Sequence, residues 1–396
     1  MSKKIYGAVA GLAAASLLVA ACGGSSTSSE TSSAAAAATS AAAVASSAAA
    51  MASSAAPAAS SAMAAAGGKA CVILPDAASS VRWETVDRPF LDEAFKAAGL
   101  ESDIQNANGD KTKFATIADG MIAGGCSVMA IVNLDSPSAA AVIAKADAAG
   151  IPVIDYDRLT LGGGAKYYVS FDNVAVGTTI GEGLVKCLND AGTTSGNVAY
   201  LNGSPTDNNA TLFKQGYSTA IEAAGFTPTA DESVPDWDNT KAGTIFEQMY
   251  TKANGDFVGV ASANDGLGGA VISVLDRNGQ AGKIFVTGQD ATDEGLQRVL
   301  LGTQCMTVYK AVKKEAEAAA ALMVALANGD TAAADALATG TTTDSEAGTE
   351  VPSVLLVPQA IYPENVKDVI ADGFTTVEKV CATPELEKAC AANGIS

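Results

Sequence analysis

The chain has 396 residues with a formal net charge of −19, and 48% of its residues are hydrophobic. This length suits two domains, each with a sizeable core. The acidic balance disfavours nucleic acid as a partner, because a negative surface repels the phosphate backbone. The sequence contains no histidine. It therefore lacks the commonest general base and metal ligand, which disfavours most hydrolases and metalloenzymes.

The first 21 residues have the pattern of a signal peptide. Lys3 and Lys4 precede an apolar run over residues 5–21, and small residues lead into Cys22, which is followed by two glycines. This resembles the lipobox of bacterial lipoproteins and predicts lipid modification of Cys22. The alternative is an ordinary signal peptide in which Cys22 has no special role. With the lipid, the protein would be anchored outside the cytoplasm, at the cell surface or in the periplasm.

Residues 22–68 are predicted to be a linker. They are almost wholly Ala, Ser, Thr and Gly, with Glu30 as the one charged residue. Such a segment cannot bury enough apolar surface to order itself. A flexible chain of this length has an r.m.s. span of roughly 35–40 Å. The linker would let a folded head stand away from the membrane.

Cysteine usage supports an exported protein. Apart from Cys22 there are six cysteines, and an even number in an exported chain indicates disulfide bonds, for which fifteen connectivities can be drawn. Cys71 and Cys126 begin neighbouring predicted strands, so we expect these two to pair. The favoured set is Cys71–Cys126, Cys187–Cys305 and Cys381–Cys390, the last closing the C-terminal tail. A zinc site is disfavoured, because no Cys-x-x-Cys spacing and no histidine is present.

From residue 70 onward, predicted strands and helices alternate. This alternation predicts an α/β fold with parallel sheets. The strand series restarts at Gly196, which predicts two lobes with a cleft between them. We assign residues 69–174 and 309–350 to the N-terminal lobe, and residues 175–308 and 351–396 to the C-terminal lobe and tail.

Short polar motifs come directly after the apolar runs of the predicted strands. In parallel sheets, ligands bind outside the carboxyl ends of the strands, so these side chains are expected to meet at one site. They are hydrogen-bonding groups rather than a catalytic set, which favours a binder of a small polyhydroxylated molecule. The motifs are Asp157-Arg158, the stretch GSPTDNNA over residues 203–210, Asn264-Asp265 and Gln289-Asp290.

These motifs recur in the order seen in a known family. Together with Arg82-Trp83 and the stretch TQCMTVYK over residues 303–310, they resemble the periplasmic sugar-binding proteins of ABC importers, and within that family the D-xylose-binding branch. The resemblance covers roughly residues 72–376. It implies a type I fold, in which two Rossmann-like lobes are joined by three hinge strands. It also implies a monomer without enzymatic activity or cofactor that delivers a monosaccharide, D-xylose or a close pentose, to an ABC permease.

The resemblance also implies a set of sugar-contacting residues. Arginine and lysine only donate hydrogen bonds, carboxylates accept them, and amides do both, which suits the hydroxyls of a pyranose. The tryptophan at 237 is expected to stack on the apolar face of the ring. The implied contacts are Arg82, Arg158, Asp207, Asn209, Trp237, Asn264, Asp290 and Lys310.

Two more contacts are predicted from the residues themselves. Asp157 follows a strand end beside Arg158, although the two could instead form a surface ion pair. Trp83 lies in a loop beside a polar motif, although it could merely pack that loop. Three further polar residues, Asp172, Asn173 and Asp265, are expected to shape loops or the hinge through bonds between side chain and backbone.

Three other functions fit the same pattern less well. The protein could be a sensor head for chemotaxis or signalling, or the same fold could serve another monosaccharide or a polyol. It could also be a sugar-modifying enzyme with Asp207 and Asp290 as a carboxylate pair. We expect the neighbouring lysine and arginines to keep both carboxylates ionised, which would leave no proton donor.

Overall fold

The computed structural model describes residues 68–77 and 79–396. Cys22 and nearly all of the linker lie outside these ranges, so the lipidation and linker predictions are not addressed by the fold. None of the helices in the described ranges is long and apolar enough to cross a membrane.

The strands alternate with helices along the chain. In chain order the strands are β1 (Lys69–Leu74), β2 (Glu101–Asn106), β3 (Val128–Ile131), β4 (Val153–Tyr156), β5 (Tyr167–Phe171), β6 (Asn197–Asn202), β7 (Thr227–Ser233), β8 (Gly259–Ser262), β9 (Phe285–Val286), β10 (Thr307–Tyr309), β11 (Gly340–Asp344), β12 (Thr349–Leu356) and β13 (Gln359–Ile361).

The helices connect these strands and close the chain. They are α1 (Arg88–Ala97), α2 (Lys111–Ala123), α3 (Ser136–Ala148), α4 (Asn173–Asp190), α5 (Asn208–Ala223), α6 (Asn239–Lys252), α7 (Asp265–Arg277), α8 (Asp293–Leu300), α9 (Val312–Ala327), α10 (Thr331–Leu337), α11 (Val366–Ala371), α12 (Val377–Val380) and α13 (Pro384–Ala392). A turn of π-helix covers Trp83–Asp87, and turns of 3₁₀-helix cover Pro235–Trp237 and Pro363–Asn365.

The first lobe is built on a sheet with strand order β11-β12-β5-β4-β3-β1-β2. Its neighbouring strands run parallel, except for the antiparallel hairpin of β11 and β12. Successive side chains of a strand point to opposite faces, so the apolar run of β1 serves two cores. Val72 and Leu74 pack on the side of α1 and α9, and Cys71 and Ile73 pack on the side of α2 and α3. Helices on both faces explain why β1 is almost continuously apolar.

The second lobe is built on a sheet with strand order β7-β6-β8-β9, all parallel. A bridge between Thr287 and Met306 extends it toward β10, which pairs antiparallel with β13. Its core gathers α4, α5, α6 and α7 around the central strands β6 and β8. The two-lobed α/β fold with mostly parallel sheets agrees with the prediction.

The chain passes between the two sheets after β5, between β10 and α9, and after β12. The first two crossings fall within a few residues of the predicted lobe boundaries. The third boundary, placed between 350 and 351, is corrected. It would cut β12, whose residues Ser353 to Leu356 pair with β5 of the first lobe. The hairpin partner β11 is a short polar edge strand, so its sequence did not indicate that the sheet continued there.

Three disulfides link the six described cysteines in the favoured pattern. They are Cys71–Cys126, Cys187–Cys305 and Cys381–Cys390, with Cα–Cα distances of 5.9, 6.3 and 6.1 Å. Cys71 lies on β1 and Cys126 just before β3, its neighbour in the sheet. Adjacent parallel strands place these residues side by side, which confirms the reasoning that selected this pair.

Candidate functional site

A cavity lies where the carboxyl ends of the two sheets face each other. All ten predicted contact residues line it, although they come from segments far apart in the chain. Four further residues complete the wall: Ser79, Ser80, Phe213 and Gln289. The predicted ten are Arg82, Trp83, Asp157, Arg158, Asp207, Asn209, Trp237, Asn264, Asp290 and Lys310. The strand-end rule therefore located one common site.

Arg82 is the most heavily paired cation of the cavity and is only 2% exposed. Its Nε and Nη2 each donate to Asp87 at 2.8 Å, and Nη2 also lies 3.1 Å from Glu315 Oε2. Its Nη1 lies 3.0 Å from Asp157 Oδ2. Burial alone would lower the pKa of Arg82, but Asp87 and Asp157 outweigh burial and raise it. The guanidinium is thus fixed as a charged donor.

Asp157 lies at the centre of the charged network. Burial would raise its pKa, but Lys310 and Arg82 outweigh burial and hold the pKa well below its usual range. Lys310 Nζ donates to Asp157 Oδ2 at 3.3 Å. Asp157 has a left-handed φ of 61°, a conformation that costs a residue other than glycine roughly 1–3 kcal/mol. Its carbonyl accepts from the hydroxyls of Tyr168 and Ser170, which helps to hold that conformation.

Arg158 points to the opposite lobe. Its Nε lies 3.0 Å from Asp207 Oδ2, and its Nη1 donates to the carbonyl of Asn133 at 3.1 Å. A surface ion pair between Asp157 and Arg158, the alternative considered for this motif, does not describe the structure. Both residues are buried, and each pairs with a different partner. The Arg158–Asp207 pair joins the two walls of the cleft.

Asp207 combines a structural bond with two bonds in the cavity. Its Oδ1 accepts from the amide of Asn209 at the start of α5, and its Oδ2 accepts from Trp237 Nε1 at 3.1 Å. Burial raises the pKa of Asp207, with Arg158 opposing that effect. The direction of the shift shows that burial outweighs the opposing effect of Arg158 on the pKa of this carboxylate.

The two amides of the set are held by backbone groups. Asn209 Nδ2 donates to the carbonyl of Asp157 at 2.8 Å, across the cleft. Asn264 Oδ1 accepts from the amide of Leu267 and so caps α7, while its Nδ2 reaches the carbonyl of Ser79 at 3.5 Å. Because a capping side chain has a fixed rotamer, Asn264 presents its amide to the cavity in one orientation.

Asp290 and Gln289 supply acceptors that no protein group occupies. Asp290 Oδ2 accepts from Ser80 Oγ at 3.2 Å. Asp290 Oδ1 lies 3.5 Å from Lys310 Nζ and 3.9 Å from Arg82 Nη1, and it has no hydrogen-bond partner. Gln289 Oε1 is likewise buried without a partner. Buried acceptors of this kind are costly unless a ligand or water donates to them.

Both tryptophans are buried and line the cavity. Trp83 packs against the guanidinium of Arg82, 4.4 Å from the ring centroid, and its Nε1 donates to Ser79 Oγ at 3.4 Å. Trp237 ends a turn in which Asp236 and Trp237 itself have left-handed φ values, 60° and 55°. Its ring meets Phe213 edge to face with centroids 6.5 Å apart. Part of each ring therefore packs against neighbouring protein groups, and the rest of its surface lines the cavity.

Of the three residues predicted to bond to backbone groups, Asp172 and Asp265 do so, whereas Asn173 bonds to side chains. Asp172 caps α4 through the amide of Ala175, and Asn173 Nδ2 donates to Tyr168 and Asn209. Asp265 lies beneath the loop that carries Asp290 and accepts from the amide of Thr292 at 2.9 Å. Burial raises the pKa of Asp265 to about 6. Among the described residues, His, Cys, Asp and Glu side chains form no group of three or more that could hold a metal ion.

Two carboxylates important to the site were missed by the sequence reasoning. Asp87 and Glu315 are fully buried and both bind Arg82 from behind the cavity. Asp87 ends the π-helical turn and Glu315 lies in the first turn of α9. No local pattern distinguishes them from solvated helical acids.

Comparisons with known proteins agree with this architecture. A sequence profile of the periplasmic binding protein domain matches residues 70–331. The D-xylose-binding periplasmic protein of Escherichia coli strain K12 is 33% identical over 298 residues, which is 74% of this chain and 87% of that protein. The D-xylose-binding periplasmic protein of Haemophilus influenzae is also 33% identical, over 305 residues, covering 76% of this chain and 88% of that protein.

A solved structure shows the same fold with a different sugar. The carbohydrate transporter solute binding protein from Chloroflexus aurantiacus, in complex with D-glucose, matches with a TM-score of 0.70 and 26% identity, covering 79% of this chain and 98% of that chain. Members of this family are solute-binding proteins rather than enzymes. Since the profile, the relatives and the two-lobed fold agree, the chain belongs to the family of periplasmic binding proteins.

Proposed function

We propose that this protein captures D-xylose, or a close pentose, in the cavity between its lobes and delivers it to an ABC permease. The observation that carries the proposal is the pair of buried acceptors that no protein group donates a hydrogen bond to, Asp290 Oδ1 and Gln289 Oε1. They lie in a cavity whose other groups are already paired and oriented. Hydroxyl groups of a sugar would satisfy both acceptors.

The charges of the cavity support a neutral sugar over an anionic ligand. The carboxylates Asp157, Asp207 and Asp290 line the cavity together with Arg82, Arg158 and Lys310, so each cation already faces an acid. A bound carboxylate or phosphate would meet three acids at close range, and like charges in a buried site are costly. A polyhydroxyl ligand accepts and donates at once and suits this mixed wall. Trp83 and Trp237 provide flat apolar surfaces for its C–H groups.

Contacts between the lobes support a capture mechanism. Arg158–Asp207, Ser80–Asp290 and the bond from Asn209 to the Asp157 carbonyl all connect one lobe with the other. A sugar bonded to both walls would favour the closed arrangement over an open one, as in hinge closure of two-domain binders. The permease would then recognise the closed form. The relatives with D-xylose in their names support the choice of sugar, and the glucose complex makes the hexose alternative worth testing in parallel.

The first experiment is calorimetric titration of the purified full-length protein with D-xylose, D-glucose, D-ribose, L-arabinose and xylitol. Tight one-to-one binding of xylose with weak responses to the others is the expected result. Preference for another sugar would keep the role and reassign the ligand. No binding across the panel would contradict the proposed function and favour the sensor or a different solute.

We also propose that Cys22 carries the lipid and that the protein acts outside the cytoplasm. The position of Cys22 after small residues supports this, and the three disulfides suit an oxidising compartment. Metabolic labelling with a radioactive fatty acid should mark the wild-type protein and leave Cys22→Ser unlabelled. Equal labelling of both would contradict the assignment.

A further inference from the structure

The C-terminal tail packs beneath two residues of the cavity. We propose that this tail, residues 363–396 closed by the Cys381–Cys390 disulfide, is a positioning element that holds Asp290 and Lys310 in their ligand-binding places. The inference rests on the proposed function for its ligand, but the packing that carries it is independent of which sugar is bound.

The first line of support is a small core separate from the cores of the two lobes. Tail residues pack in one apolar cluster with Ala291 and Tyr309, each of which is the chain neighbour of a cavity residue, Asp290 or Lys310. Ala291 is fully buried and Tyr309 is 5% exposed. The tail contributes Val366, Val369, Val380, Cys381, Leu386, Cys390 and Ile395, and α8 contributes Leu296, Val299 and Leu300.

The second line of support is the backbone of the loop that carries Asp290. Asp290 and Ala291 have φ values of 97° and 49°, in the region that residues other than glycine rarely adopt. Such a conformation persists only where surrounding packing fixes it. The amide of Asp290 donates to the carbonyl of Val308, and the amide of Ala291 donates to Thr307 Oγ1. The loop is therefore hydrogen-bonded to β10, and Ala291 packs in the apolar cluster beneath it.

The third line of support is a set of polar bonds from the tail to both segments. Tyr309 donates its hydroxyl to Asp372 Oδ2 at 2.5 Å, and its ring meets Phe374 edge to face at 5.1 Å. Asp293, three residues after Asp290, accepts from Thr375 Oγ1. Gln297 of α8 donates to the carbonyl of Lys379 at 2.8 Å.

Through these bonds the tail contacts the segments that carry both cavity residues, Asp290 and Lys310. One group of contacts reaches α8, directly after the Asp290 loop, and the other reaches β10, directly before Lys310. Lys310 Nζ lies 3.5 Å from Asp290 Oδ1, so a shift of either segment would change the geometry at the unoccupied acceptor. The disulfide spans nine positions of the tail and limits how far α12 and α13 can separate.

The test compares two disulfide removals in the full-length protein. Cys381→Ser/Cys390→Ser opens the tail. Cys71→Ser/Cys126→Ser is the matched control, because it removes a disulfide near the amino ends of β1 and β3, away from the cavity. We expect the tail variant to bind D-xylose about tenfold more weakly, and the control to stay within about twofold of wild type even if its melting temperature falls.

Hydrogen exchange of the ligand-free protein provides a readout that does not depend on the sugar. The amides of Asp290 and Ala291 should exchange faster in the tail variant, whereas the amide of Asn209, bonded to Asp207 at the start of α5, should not change. Unchanged exchange at Asp290 and Ala291 would overturn the inference. Equal losses of affinity in the two disulfide variants would also overturn it, since they would reflect general destabilisation.

A gentler variant guards against misfolding of the tail. Tyr309→Phe removes the bond to Asp372 while keeping the ring against Phe374, and we expect a loss of affinity of about threefold. In an Asp290→Asn background the same change should cost less, because the tail fixes the distance between Lys310 and that carboxylate. An identical loss in both backgrounds would count against positioning. If wild type binds none of the sugars, the proposed function fails, and the exchange comparison still decides the role of the tail.

Discussion

The two walls of the cavity are held in different ways. In the first lobe, Arg82 is positioned by charge, with Asp87, Asp157 and Glu315 within 3.1 Å of its guanidinium. In the second lobe, the side chains are positioned through the backbone. Asp207 and Asn264 bond to the first turns of α5 and α7, and Trp237 and Asp290 stand on left-handed turns.

This difference predicts different consequences of mutation. Removing one charge in the first wall leaves several buried opposite charges without a partner, which damages folding as well as binding. Removing one side chain in the second wall leaves the helix or the turn largely in place, so binding should fall while the fold survives. Paired measurements of stability and affinity can therefore separate the two walls.

The largest effect is expected for Arg82→Met, which keeps a similar volume without the charge. Asp87 and Glu315 would remain buried without a cation, and Asp157 would keep only Lys310. Breaking buried pairs in this way costs about 3–5 kcal/mol of unfolding free energy. Urea unfolding measures this loss, and calorimetry should find no xylose binding. Arg277→Met is the control, because Arg277 forms an exposed pair with Glu247 at 3.5 Å, worth at most about 1 kcal/mol. Similar losses in both variants would contradict positioning by charge.

Asp290→Ala should separate binding from folding. Hydrogen bonds to charged groups contribute about 1.5–3 kcal/mol each, so we expect xylose affinity to fall by about 10-fold to 150-fold. Unfolding should change little, because Asp290 has no role in capping a helix. Asp190→Ala, which removes an exposed carboxylate paired with Lys186, should leave affinity unchanged. Affinity like that of wild type in Asp290→Ala would sink the assignment of this residue to the site.

The same contrast explains how far sequence reasoning could reach. Residues of the second wall come soon after strands, as Asp207 follows β6 and Asn264 follows β8. The local sequence pattern therefore predicts their place in the fold. The cysteine pairs were equally accessible, because two of them join neighbouring strands or close a short loop. Asp87 lies five residues from Arg82, but no local pattern distinguishes it from a solvated helical acid. Glu315 was not accessible, since Arg82 is brought to it only by the packing of α9 on the first sheet. The assignment of residues 351–356 to the second lobe failed for the same reason, as strand membership depends on distant pairing.

Gly203→Ala tests the second wall through its backbone. A Cβ at Gly203 would lie 2.0 Å from Cη2 of Trp237, so the indole would have to move away from the cavity. Overpacking of this kind costs about 1–3 kcal/mol, and the displaced ring should weaken xylose binding and shift tryptophan fluorescence. Gly243→Ala, on α6 with no atom within 4 Å of the added Cβ, should instead stabilise the protein by about 0.5–1 kcal/mol. An unperturbed fluorescence spectrum in Gly203→Ala would show that the wall is more pliable than its contacts indicate.

The last prediction concerns Asp155, a fully buried carboxyl that supports the Asp157 loop by accepting from the amide and hydroxyl of Thr160. Burial raises its pKa to about 7 from an ordinary value of 3.8. Between these two values the folded protein holds a proton that the unfolded chain has released, so raising the pH favours unfolding. From pH 5 to 6 this group should lower the unfolding free energy by about 1 kcal/mol.

Asp155→Asn removes that pH dependence, while the contributions of the other titrating groups, Asp265 among them, are the same in both proteins and cancel. Urea unfolding at pH 5, 6 and 8 should therefore show the unfolding free energy of the variant rising relative to that of wild type up to about pH 7. Above that pH the difference should stay constant. Parallel curves would mean that Asp155 is already ionised in the fold, and that the first wall relies on one more buried charge than its ion pairs reveal.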